Sequence, residues 1–197
     1  ETATQGWMVD KTNDNNLNTS LSNVEFKSDN GTRALQVSFT DLSFGLSSEV
    51  FVDSFFPEWF TKLEGYQVQR YFHYDYVACP IVYTGQKIKT EIVSRSEKDL
   101  RINLFIKYWG DGDKLIKITS EDYNLKANEN CVIEWIVPDT FSNPLGQIGI
   151  SINSDDNISG KLLINYLNIS GSPKMIFKRP DHIDEFKRGI FYKEEVY

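Results

Sequence analysis

Cysteine, histidine and methionine each occur only twice among 197 residues, and 28 acidic side chains outnumber 21 basic ones. Each shortage excludes something. Cys79 and Cys131 are too few for a disulfide framework and lack metal-ligand spacing, so two buried free thiols are expected rather than a bridge. His73 lies in an aromatic run and His182 in the tail, so a hydrolytic triad has almost no base to choose from. A net charge of −7 without a basic stripe repels nucleic-acid backbones and anionic membranes rather than gathering them. No apolar run approaches the roughly 18 residues of a membrane span. There is no Gly-rich phosphate loop and no nucleophile elbow. The chain starts at Glu1 with no basic-then-apolar leader, so it is expected to be processed or to be a module of a larger polypeptide.

What is present is β-forming. Phe, Tyr, Val and Ile outweigh Ala, Leu and Met. The clearest stretch is DLRINLFIKYWGDGDKLIKI, Asp99 to Ile118. Leu100, Ile102, Leu104, Ile106 and Tyr108 alternate with Arg101, Asn103, Phe105, Lys107 and Trp109, a period of two that a strand with one buried face requires. Gly110, Asp111, Gly112 and Asp113 then turn the chain into a hairpin. The outward set places Phe105 and Trp109 beside Lys107, and rings on the wet side of a sheet invite either a ligand or a covering element. Sugar rings pack their C–H faces on flat aromatics while charged and amide groups read the hydroxyls. The candidate ligand-binding residues are therefore Trp109, Phe105, Lys107, Asp111 and Asp113.

Around this hairpin the chain reads as many short strands. Trp7, Met8 and Val9 open it, Lys11 to Asn23 is expected as a polar surface loop, and Leu35, Val37 and Phe39 form a strand after the Asp29–Asn30–Gly31 turn. Residues 46–65 concentrate Phe51, Phe55, Phe56, Trp59 and Phe60 around Pro57, expected as a strand breaking into a helical turn, with Trp59 a further candidate ligand platform. Strands follow at 66–76, 78–83, 86–94, 100–109, 114–119, 131–137, 146–152 and 161–169. Their inward sets include Ile88 and Ile92; Ile133, Trp135 and Val137; Ile148, Ile150 and Ile152; and Leu163, Leu167 and Ile169. Short strands at this spacing with no long amphipathic helix predict an all-β sandwich, one domain over 1–197. One short C-terminal helix is expected over 181–189, with Asp181 as cap and Gly189 as stop.

Three segments resemble a known module. YVACPIVYTGQ (Tyr76–Gln86) resembles a Y-x-A-x-P-x-x-Y-x-G-Q signature. EWIVPDTFSNPLGQIGISI (Glu134–Ile152) is similar to W-x-x-P-x-x-x-x-x-P-x-x-x-x-G, and GKLLINYLNISGSP (Gly160–Pro173) to a G-x-x-x-L-D-x-L-x-x-x-G-x-P closing strand. Together they resemble the galactose-binding-like β-sandwich appended to ADP-ribosylglycohydrolase-type proteins, over residues 66–175. The resemblance implies a jelly-roll module related to carbohydrate-binding modules, without catalysis of its own, and a catalytic domain in the same polypeptide. Related sandwiches hold a structural calcium near the position of Asn165, where the pattern carries Asp; Asn offers a carbonyl oxygen but no charge.

The expected function is a non-catalytic, carbohydrate-binding accessory module. An alternative from another class is an interaction module whose outward rings dock on a catalytic domain or a second copy. A second alternative is a jelly-roll polysaccharide lyase, because FKRGIFY (Phe186–Tyr192) resembles its Y-F-K-x-G-x-Y strand. The lyase would also need a Q-x-H segment, and here Gln147 is followed by Ile148 and Gly149. Asp111/Asp113 and Asp155/Asp156 are available as carboxylate pairs, but turn formation accounts for both.

Overall fold

The computed structural model describes residues 6–10, 18–29, 31–54, 82–110, 114–141, 143 and 145–172. Trp59, Asp111, Asp113, both histidines, Cys79, the strands expected over 66–81, the C-terminal helix and the FKRGIFY segment lie outside them. The described residues form eleven strands: β1 (Trp7–Val9), β2 (Thr19–Ser28), β3 (Gly31–Leu42), β4 (Ser47–Asp53), β5 (Lys87–Ser96) and β6 (Leu100–Trp109). They continue with β7 (Leu115–Thr119), β8 (Tyr123–Leu125), β9 (Asn130–Ile136), β10 (Leu145–Asn153) and β11 (Ile158–Ser170).

These pair into two antiparallel sheets stacked as a β-sandwich. The first runs β1-β4-β10-β6-β7, with β8 also on β6; the second runs β2-β3-β11-β5-β9. The chain crosses repeatedly between them, so strands distant in sequence lie side by side. Their facing sides close one core: Val37, Phe39, Ile88, Ile92, Ile133, Leu162 and Ile164 meet Val50, Leu104, Ile106, Ile148 and Ile150. On β6, every even position from 100 to 106 belongs to this core, as the alternation requires. At about 25 cal/mol per Å² of buried apolar surface, such a core dominates the stability of the fold.

Two expectations change, and one strand, β8, was not expected. Thr19 to Asn23, expected as loop, belongs to β2. Its polar residues suit an edge strand, and Leu21, opposite Val37, packs on the core. The strand β8 has too short an apolar signature to stand out. Leu163 does not face the core: a bulge between Ile164 and Tyr166 shifts the register on β5. Positions 162 and 164 therefore point inward before the bulge, and 167 and 169 after it. Leu163 instead joins Ala34 and Val93 in a small cluster outside the sandwich core.

Candidate functional site

The outward side of the first sheet is the unusual surface of this molecule. Register lines up its side chains in rows across the strands. Met8, Phe51, Gly149, Phe105 and Thr119 form one row; Asp53, Gln147, Lys107 and Lys117 form the next; Glu49, Ser151 and Asn103 lie on the opposite side of the first.

Phe105 fills this face rather than lying open on it. Its ring occupies the space above Gly149, where a Cβ would stand 2.2 Å from Phe105 Cζ and 2.5 Å from the Val50 carbonyl oxygen. The Lys117 ammonium lies 4.6 Å from the ring centroid and that of Lys107 5.6 Å, in cation–π contact. Phe105 is 0% and Trp109 4% exposed, so neither serves as the open sugar platform expected from the alternation. The outward direction holds for Phe105, which is absent from the sandwich core, but the ring is a floor beneath charged side chains.

Lys107 and Lys117 are register partners, an arrangement of like charges that is unfavourable by itself. Each resolves it with a different carboxylate. Lys107 reaches Asp10, just beyond β1, at 3.0 Å, and lies 5.7 Å from the Phe51 centroid. Lys117 reaches Glu49 on β4 at 2.6 Å and donates to the Ser151 hydroxyl at 3.1 Å. The lysine side chains are 17% and 32% exposed, the carboxylates 8% and 9%. Shielding of this degree strengthens each pair and raises the cost of breaking it.

Two acceptors on the same face stand without partners among the described residues. Asn103 donates its amide to Asp122 at 2.8 Å, yet its Oδ1 accepts nothing. Gln147 Oε1 is likewise buried and unsatisfied. Native structures rarely leave such atoms unmet.

Of the residues expected at a site, Lys107 stands in this cluster; Phe105 and Trp109 are buried. Asn165 is committed elsewhere: its Oδ1 accepts from Ser28 at 3.0 Å and its amide donates to Glu91. Among the described residues no group of three or more His, Cys, Asp or Glu could hold a metal ion. Cys131 is a half-buried free thiol, its pKa pushed up to about 11 chiefly by burial. The residues that sequence reasoning missed are Asp10, Glu49, Asn103, Lys117, Gln147 and Ser151. A signal for some was present: in β10, Gln147, Gly149, Ser151 and Asn153 alternate with buried Ile148, Ile150 and Ile152, a polar face on a central strand.

The exposed rings are elsewhere. Tyr83 is 51% and Phe141 55% exposed, on loops joined by the Thr84 and Thr140 hydroxyls at 3.3 Å. Phe141 holds φ at 54°, a left-handed conformation uncommon for a bulky residue. Its loop leads directly into β10 and Gln147.

No protein-family model and no curated protein matches the chain. Solved structures do. One, a study of the promiscuous specificity of carbohydrate-binding modules from the β-sandwich superfamily, is 13% identical over 86% of this chain with a TM-score of 0.55. This chain spans 59% of that chain's length. A xylan-binding domain from carbohydrate-binding module family 22 is 9% identical, covering 89% of this chain and 93% of its own, with a TM-score of 0.53. A Clostridium thermocellum endo-1,4-β-D-xylanase 10B structure, of CBM22 and GH10 modules with xylohexaose, is 15% identical over 91% of this chain and 28% of its own, with a TM-score of 0.51. At these identities the likeness is one of fold: the chain is a β-sandwich built like those of carbohydrate-binding modules.

Proposed function

We propose that this chain is a non-catalytic carbohydrate-binding module that receives its ligand on the outward face of the first sheet. The observation that carries this reading is the shielded cluster there: two lysines, two carboxylates, a hydroxyl and two unsatisfied amide oxygens around an aromatic floor. Saccharide hydroxyls both donate and accept, and such a mixed set matches them. Support comes from the carbohydrate-binding modules among the structural neighbours. Lys107 contributes from the residues first singled out, whereas Phe105 shapes the floor; Trp59, Asp111 and Asp113 remain proposed contacts. The module serves a catalytic domain of the same polypeptide, of ADP-ribosylglycohydrolase type, a reading supported by the sequence resemblance and by the xylanase neighbour in which such a module accompanies GH10.

Glycan-array binding followed by calorimetric titration tests the proposal. A single sugar would bind weakly, on the order of millimolar. Lys117→Ala is expected to weaken the selected glycan, and an array on which no glycan binds above background would refute the reading.

A further inference from the structure

Asn103 and Gln147 are 8% and 4% exposed, and among the described residues each keeps its side-chain carbonyl oxygen without a hydrogen-bond partner on the outward face of the first sheet. A buried acceptor left unmet is costly, so its retention calls for a partner that arrives from outside. Asn103 pairs with Ser151 and Lys107 with Gln147, which puts the two acceptors four register steps apart along β6 and β10. That separation is roughly 13 Å at 3.3 Å per residue, longer than one pyranose ring spans. Phe105 lies between them, and the same line continues toward the loop bearing Phe141.

We propose that Asn103 Oδ1 and Gln147 Oε1 are paired acceptors for hydroxyl donors of one extended, neutral oligosaccharide lying along β6 and β10. This rests on the carbohydrate-binding reading above. Access comes by movement of the lysines: Lys107 is the register partner of Gln147, and Lys117 bonds Ser151 beside Asn103. Both are long, flexible and held mainly by single carboxylates. Neutrality follows from the charges facing the line, where Asp10, Glu49, Asp53, Asp122 and Asp155 outnumber Arg101, Lys107 and Lys117 and oppose uronate or sulfated chains.

The test uses the 197-residue chain, a neutral β-1,4-linked hexasaccharide, its monosaccharide and hexagalacturonate. The hexasaccharide should bind well above the monosaccharide and the uronate. Asn103→Leu and Gln147→Leu should each weaken it about tenfold, the worth of one hydrogen bond; Asn103→Leu also loses its bond to Asp122 and with it some Tm, whereas Gln147→Leu should leave Tm unchanged. Gln147→Glu, which keeps an acceptor oxygen, should retain binding. Unchanged hexasaccharide affinity in both Leu variants, with a lowered Tm, marks structural water sites and overturns the inference while leaving the proposed function standing. Equal or tighter uronate binding overturns it too. If no glycan of any class binds the wild-type chain, the proposed function itself fails. Side-chain amide NMR of the wild-type chain needs no variant: the Asn103 and Gln147 signals should shift on adding hexasaccharide, and shifts elsewhere with these two unmoved overturn the inference.

Discussion

The two outward faces of this sandwich carry similar kinds of residue in opposite states. On the second sheet, Glu134 bridges Lys87 at 2.8 Å and Lys89 at 2.9 Å, with all three side chains at least 40% exposed. Asn165, at the β11 bulge, links Ser28 to Glu91, which also accepts from Asn130. These polar groups are satisfied, and the Glu134 cluster is open to water, where ion pairs contribute little. On the first sheet the Lys107–Asp10 and Lys117–Glu49 pairs are shielded, a phenyl ring lies beneath them, and two acceptors are unmet among the described residues. Satisfied, solvated charge is what solubility asks of a sheet face; shielded charge with vacant acceptors is what a polar ligand asks of one.

Substitutions can break this contrast. The largest effect is expected at Gly149→Ala, which drives a methyl into Phe105 and the Val50 backbone. A loss of about 3 kcal/mol should appear in urea unfolding, with ligand affinity falling alongside. Next is Lys107→Ala, which removes the ammonium 3.0 Å from the shielded Asp10 carboxylate and should cost about 2 kcal/mol. The same substitution at Lys87, on the open face, should change stability by no more than about 0.5 kcal/mol. Asn165→Ala removes bonds to Ser28 and Glu91 and should cost about 1 kcal/mol, with no change in glycan affinity.

The smallest effect concerns pH. Lys87 and Lys89 hold Glu134 down to about 2, below its ordinary value of 4.5, through hydrogen bonds and charge attraction. A depressed folded-state pKa gives stability that is complete above the unfolded value and fades as pH falls through the folded one. Wild type and Glu134→Gln should therefore differ slightly at neutral pH and converge between about pH 4.5 and pH 2 in acid unfolding curves. Water screens this exposed cluster, so salt should erase the difference.

How much of this was legible in the sequence depends on distance along the chain. Alternation in β6 gave both its bounds and its inward set, because the signal lies within ten consecutive residues. It could not reveal that Phe105 is covered. The space for its ring is the missing side chain of Gly149, 44 positions later, and register between β6 and β10 is invisible without the fold. The ion pairs were hidden for the same reason: Asp10, Glu49 and the hairpin that carries Lys107 and Lys117 come from three separate parts of the chain. Leu163 was misread because one unpaired residue at a bulge reverses every side chain beyond it. Thr19 to Asn23 looked like loop because an edge strand needs few apolar residues.

The most direct measurement is a backbone amide NMR titration of the wild-type chain with the glycan that binds best on the array. The account predicts shifts concentrated on Glu49, Asn103, Lys117, Gln147 and Ser151, across four strands of the first sheet. Shifts gathered instead on Lys87, Glu91, Glu134 and Asn165 would place the ligand on the other face and contradict it.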